Sequence, residues 1–262
     1  MALTAEQLNR ATLARQLLLE REPLAAPDAV RRVVALQAQE PALRTFAPLV
    51  HAPTGATWAY GPTPSFLAAP AGAGRDSPNR SLARLVWRYL EGFGPATPAD
   101  FGQFALQRKP AVTAAFTALN ARLRHLEGPD GEALFDVPDG PRPAGDTPAP
   151  ARLLPMWDST LLAWADRRRI IDAADRPVVT RRNGDVLPTL LVDGRVAGLW
   201  RTVEGGIEAS AFRPLPDDAW SALAAEARSL LAFLAPRDPV PYRRFNRWWT
   251  DLPATQVEIL PA

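Results

Sequence analysis

A chain of 262 residues without a single cysteine cannot form disulfides or thiolate zinc sites, and it is long enough to bury a sizeable core. Thirty basic against 28 acidic residues leave a formal net charge of +2, and the 47% hydrophobic content is that of an ordinary globular protein. So small a net charge neither requires nor excludes a nucleic-acid partner, so where the charges sit matters more than their sum.

No apolar run approaches the length of a membrane span, and Thr4, Glu6 and Gln7 break any signal-like apolar start. No membrane association is expected, and the cytoplasm is the expected location. Lys109 is the sole lysine, so arginine carries nearly all the positive charge. Arginine is the better bidentate ligand for phosphate; a GC-rich coding bias gives the same preference.

In chain order, Thr4 to Glu22 predicts an amphipathic helix, with Leu8, Leu13, Leu17 and Leu18 near a helical repeat and Thr4–Gln7 as a capping box. Pro23 and Pro27 bracket a turn, and Asp28 to Gln39 predicts a second helix with Val30, Val33, Val34 and Leu36 inward. Leu49–Ala52 and Thr57–Tyr60, around Pro53-Thr54-Gly55, predict a hairpin, and Pro70 to Pro78 a small-residue linker. Leu82 to Leu90 is a helix that stops at Gly92. Thr97-Pro98 opens a short helix, with a cap residue followed by proline at the first helical position. Pro110 to Leu123 is a longer helix. Arg124–Leu126 and Glu132–Phe135 flank the turn Pro129-Asp130-Gly131. Helix, short helix, longer helix and β-wing is the winged helix-turn-helix order, with Pro110–Leu123 as recognition helix.

Beyond the proline-rich connector 138–150, strands are predicted at Val178–Arg181, Leu187–Val192, Val196–Val203 and Ile207–Phe212. Asn183-Gly184, Asp193-Gly194 and Gly205-Gly206 supply their turns. This is an antiparallel meander, read as part of a small barrel. Asp217 to Leu234 predicts an amphipathic helix, and Tyr242 to Trp249 is a basic-aromatic tail.

The stretch Leu36-Gln37-Ala38-Gln39-Glu40-Pro41 closes the second helix with crowded polar groups. A residue before proline is pushed out of the α region, so the helix frays at Gln39 or Glu40. On a regular helix positions two apart point to nearly opposite sides; an unwinding end lets Gln37 and Gln39 aim at one spot. Two neutral amides can hold one water between them. That suits a reaction whose leaving group is already good and whose nucleophile needs placement. The plain alternative is a solvated helix end.

This run, with Leu3-Thr4 to Arg15 upstream, resembles the winged-helix DNA glycosylases of the AlkZ type, which excise alkylated purines or unhook cross-links. A second block, Leu153-Leu154-Pro155 through Asp158 to Ala165-Asp166-Arg167, resembles that family's C-terminal domain. The resemblance implies that Gln37 and Gln39 are the catalytic pair that carries the water. Glu40 is expected to assist as base or to stabilise positive charge at the sugar, the plain alternative being an exposed helix-end carboxylate. An N3- or N7-alkylated purine carries positive charge, so its glycosidic bond breaks with oxocarbenium character and needs no tight flipped pocket. The sequence departs from the family's pattern at Met156, Trp157 and Trp164, and it carries an internal deletion: Leu43 to Phe66 follows the glutamine motif almost directly.

The DNA-binding candidates are Arg108 and Lys109, Arg167-Arg168-Arg169, Arg181-Arg182, and Arg243, Arg244 and Arg247 in the tail. Each can grip phosphate or form a solvated face, and Trp248 and Trp249 are stacking surfaces or core anchors. Asp158 and Asp166 are read as turn caps and arginine partners, and His51 and His125 as structural histidines.

The expected fold is α+β, with winged helix-turn-helix elements followed by a small antiparallel β-barrel-like domain. Residues 1–42 form a helical pair bearing the Gln-x-Gln motif, 43–79 a wing hairpin and linker, 80–138 a winged-helix domain, and 150–262 the β-domain with its helix and tail. The expected function is that of a monofunctional DNA glycosylase for alkylated purines or cross-links, monomeric, acting on double-stranded DNA without metal or cofactor. The alternative is a non-catalytic winged-helix DNA-binding protein, either a degenerate relative or a transcriptional regulator.

Overall fold

The computed structural model describes residues 49–52 and 65–68 by their backbone, and residues 77–249 and 252–261. The helices expected over Thr4–Glu22 and Asp28–Gln39, with Gln37, Gln39 and Glu40, lie outside the described residues. Two compact units divide the chain, Met1–Arg75 and Asp76–Ala262.

In the first unit, β1 (Leu49–Ala52) pairs antiparallel with β2 (Ser65–Ala68), Leu49 opposite Ala68. This corrects the expected hairpin, in which Thr57–Tyr60 was the partner. Proline cannot donate to a ladder, and the paired stretch starts directly after Pro64.

The second unit begins with α1 (Pro78–Phe93), which starts where Ser77 accepts from the Arg80 backbone N–H and which buries Val86, Tyr89 and Leu90. Next comes α2 (Pro98–Phe104), opened by a complete capping box between Thr97 and Asp100. The longer α3 (Lys109–Leu119) turns Val112, Ala115, Phe116 and Leu119 inward. It ends earlier than Leu123 because Asn120–Arg122 tightens into a 3-10 turn. An antiparallel hairpin follows, β3 (Arg124–Glu127) and β4 (Ala133–Asp136), with Arg124 opposite Asp136. Its tip needs a left-handed residue, which Gly131 supplies at φ 79°.

These elements close around a core of edge-to-face rings, Tyr89 on Phe101 at 5.4 Å and Phe116 on Phe135 at 5.2 Å. Such pairs add about 0.5–1.5 kcal/mol each beyond the area they bury. Asp136 sits inside the same corner, 1% exposed, accepting from the Val137 backbone N–H and from Arg142. A buried carboxylate persists because both partners are present.

The remainder is built on a five-stranded antiparallel sheet in the order β5-β6-β7-β8-β9. Its strands are β5 (Arg152–Leu154), β6 (Thr189–Val192), β7 (Arg195–Val203), β8 (Gly206–Ala211) and β9 (Gln256–Pro261). Between β5 and β6 lie two one-turn helices, α4 (Ser159–Leu162) and α5 (Arg176–Val179). The helix α6 (Asp217–Leu234) covers one face, with Trp220, Leu223 and Ala227 packed on Leu190, Ile207 and Ala209. The other core holds Ile170, Ile171, Val179, Leu187, Leu199 and Phe245.

Two expectations are corrected. The strand at Val178–Arg181 is instead the end of α5, because Pro177 enters the first turn of a helix where its missing N–H costs nothing. Thr180 keeps a single bridge to Val186. The barrel is an open sheet: among the described residues no pairing joins its edge strands β5 and β9. Helix α6 packs against both of these strands, so apolar burial is completed by a helix and not by closure. No helix among the described residues is long and apolar enough to cross a membrane.

Candidate nucleic-acid interface

The Ala163–Arg169 segment lies between the three-helix unit and the sheet domain, and its backbone is clasped by the helices. The Tyr89 hydroxyl donates to Ala163 O at 2.6 Å, and Gln103 Nε2 donates to Trp164 O at 3.2 Å. In return Trp164 Nε1 donates to Phe93 O at 3.1 Å, and the Ala165 N–H donates to Asp100 Oδ1 at 2.8 Å. Asp100 Oδ2 serves the capping box of α2, accepting from the backbone and hydroxyl of Thr97 at 2.8 Å each. One buried carboxylate thus fixes both a helix start and the clasped segment. Burial, reinforced by the Asp100 charge, pushes the Tyr89 hydroxyl well above the usual tyrosine range.

Asp158 accepts from the Thr160 N–H and caps α4, as expected. Asp166 binds Arg168 through side chain and backbone, and those hydrogen bonds hold its carboxyl below the usual range. Arg168 also reaches Asp130 at the hairpin tip, 2.7 Å away. A cleft of about 820 Å³ opens here, lined by Thr97, Asp100, Asp130, Asp166, Arg168 and Arg169, among others. Its charge is mixed, so it is no uniform phosphate groove.

The predicted arginines divide by what they touch. Arg167 is half-buried; its Nη1 reaches Thr180 Oγ1 at 3.4 Å and its Nε has no partner among the described residues. Burial, then the Arg176 charge, lowers its pKa. Arg181 lies over the Trp248 ring at 4.9 Å and donates to Trp248 O, and burial again lowers its pKa. Arg247 stacks on the same ring at 4.7 Å and approaches Asp185 at 3.6 Å. Trp248 donates to Asp185 at 3.0 Å, and with Trp249 it packs on the core. These arginines are engaged within the fold. Arg169 is exposed over the Trp164 face at 4.7 Å. Arg108, Lys109, Arg182 and Arg243 are exposed with no ion pair among the described residues, and the side chain of Arg244 lies outside them. His125 contacts Asn120 O and the Phe135 ring, a structural role.

Sequence reasoning missed two features. Asp100 was legible as the fourth residue of Thr97-x-x-Asp, a capping-box pattern, but its bond to Ala165 is not. A second cleft of about 360 Å³ is lined by Arg80, Arg84 and Arg122 around Trp87, with Arg122 over the ring at 4.6 Å. The i, i+4 spacing of Arg80 and Arg84 was its available signal.

The model of the AlkZ-like DNA glycosylase family matches residues 2–233. An interstrand DNA cross-link repair glycosylase from Streptomyces sahachiroi is 26% identical over 145 residues, covering 53% of this chain and 38% of that protein. The solved structure of Streptomyces sahachiroi DNA glycosylase AlkZ is similar in fold, with a TM-score of 0.66 and 21% identity over 91% of this chain and 69% of that one. The chain belongs to the AlkZ-like DNA glycosylase family.

Proposed function

We propose that this protein is a monofunctional DNA-repair glycosylase that hydrolyses the N-glycosidic bond of alkylated purines or cross-links in double-stranded DNA. The observation that carries the reading is the family match over residues 2–233, a span that includes both the Gln37–Glu40 stretch and the Ala165–Arg167 block. Gln37 and Gln39 hold the attacking water, and Glu40 assists at the positively charged sugar. The protein acts as a monomer in the cytoplasm and uses no metal or cofactor. Residues 80–138 act as a winged helix with α3 as recognition helix, while residues 1–42 carry the water-holding motif and residues 150–262 support the DNA. Arg108, Lys109, Arg169, Arg182 and Arg243 grip phosphate in this reading, which their exposure supports.

A second reading, a DNA-binding protein without glycosylase activity, is favoured by one observation: Ala165 and Asp166, in the block that carries half the resemblance, serve internal bonds. Base release separates the two. Duplex containing N7-methylguanine or N3-methyladenine, incubated with the protein, is expected to release free base and leave abasic sites cleavable by alkali. A cross-linked duplex tests the lesion class in the name of the Streptomyces relative. Binding without release from any of these duplexes would establish the second reading.

A further inference from the structure

The turn between α2 and α3 holds a residue that local physics disfavours twice. Helix α2 ends in a Schellman turn, in which Gln107 N donates to Gly102 O at 2.9 Å and Leu106 N donates to Gln103 O at 3.4 Å. This geometry needs a left-handed residue just after the cap, and glycine is the usual solution because it has no Cβ to clash. Here Leu106 adopts it, at φ 52°. Leu106 is also 89% exposed, the most open of the large hydrophobic side chains described. A lone exposed leucine is commonplace. An exposed leucine that also fills a glycine position gains nothing from packing and adds strain, and such outliers point toward function.

Its neighbours are polar or cationic. Gln103, Gln107, Arg108 and Lys109 are all exposed, and Arg108 and Lys109 start α3 with no ion pair among the described residues. The support is stiff: Gln107 Nε2 ties back to Ala105 O at 3.0 Å, and α2 is capped at its other end.

We propose that Leu106 is a wedge that enters between stacked base pairs of duplex DNA while Arg108 and Lys109 hold the flanking phosphates. This rests on the DNA-acting reading above. Apolar wedges partly unstack a base step and kink the duplex, and added protein–DNA contact offsets the unstacking.

The test uses duplex carrying 2-aminopurine beside N7-methylguanine, whose fluorescence rises when the probe unstacks. Saturating wild-type protein is expected to raise it severalfold. Leu106→Gly should abolish the rise, melt at the same temperature or higher because glycine relieves the strain, and keep most of its affinity through the phosphate contacts. Leu106→Met should restore much of the rise. Phe233→Ala, which trims another exposed apolar side chain, should change none of these readouts. Equal fluorescence from Leu106→Gly and wild type overturns the wedge, as does a wild type that binds and releases base without any rise. A wild type with no affinity for duplex overturns the wedge together with the function it rests on.

Discussion

The Ala165 backbone N–H and Asp100 Oδ1 are joined at 2.8 Å across 65 positions of sequence. Because Asp100 Oδ2 also completes the capping box of α2, the start of that helix and the path of the Ala163–Arg169 segment are set by a single side chain. Asp100→Asn keeps the shape but gives only one acceptor oxygen, so one of the two N–H donors meets an amide NH₂. The expected loss is about 1–3 kcal/mol, the cost of an unsatisfied buried group. Asp100→Ala should lose every bond its carboxylate accepts, from Thr97 as well as Ala165, adding roughly 1 kcal/mol, while the Thr97 hydroxyl still accepts the backbone N–H at position 100. Urea unfolding reads both, and a loss below about 0.5 kcal/mol for either would separate Asp100 from the clasp.

Tyr89 gives the fold an alkaline limit. Its hydroxyl donates to Ala163 O at 2.6 Å and its pKa is raised, mainly by burial. A group with a raised folded pKa stabilises fully below its unfolded value, near 10 for tyrosine, and loses that contribution as pH climbs toward the folded value. Stability should therefore decline above pH about 10. Tyr89→Phe should cost about 1 kcal/mol at neutral pH by removing one hydrogen bond, and it should flatten that alkaline slope. Thermal melts from pH 8 to 11 on both proteins decide the matter; an unchanged slope in Tyr89→Phe would assign the limit to another group.

The basic residues should separate by experiment as they do by contact. Removing both exposed charges in Arg108→Ala/Lys109→Ala should lower the slope of log affinity against log salt by about 2, near 0.9 per phosphate released. Arg181→Ala should behave differently, because that guanidinium is stacked on Trp248 and bonded to its carbonyl. It should lower stability while leaving the salt slope nearly unchanged. A slope change of a full unit from Arg181→Ala would show that its stack opens on DNA.

Much of the second unit was readable because its signals are local. Thr97-Pro98 marks a helix start by capping chemistry, and α6 begins and ends at Asp217 and Leu234 as its periodicity implies. The misreadings arise where non-local packing decides. Val178 and Val179 are β-branched and read as strand, yet Pro177 and the Asp175 carbonyl hold them in a helical turn. The two edge strands escaped notice, since Arg152–Leu154 is short and Gln256–Pro261 ends in proline; both are held by neighbours far away in sequence. For the site, residue type alone could not distinguish Arg181 and Arg247, tied to Trp248, from Arg182, which has no ring contact or ion pair among the described residues. The clasp around Ala165 is likewise tertiary, and no spacing rule announces it.

The most demanding prediction concerns Gln37 and Gln39, which stand in the Leu-Gln-Ala-Gln-Glu-Pro run inside the family match. In the proposed function the departing alkylated purine is already positively charged, so the protein would have to place a water and tolerate an oxocarbenium-like sugar. Neutral amides do both without a shifted pKa. Gln37→Ala and Gln39→Ala should each lower base release from N7-methylguanine duplex on the order of a hundredfold, as expected for a misplaced nucleophile. DNA affinity should hold, because the amides position water and do not neutralise phosphate. Glu40→Gln should cost less, since a good leaving group asks little of a general base. The rate should therefore show no rise through pH 4–6, where a carboxylate base would titrate. Single-turnover kinetics on the wild type, the three single variants and the double Gln37→Ala/Gln39→Ala variant separate binding from chemistry. Undiminished release by the double alanine variant would place the water elsewhere, and a rate tracking the ionisation of one carboxylate would transfer the leading role to Glu40.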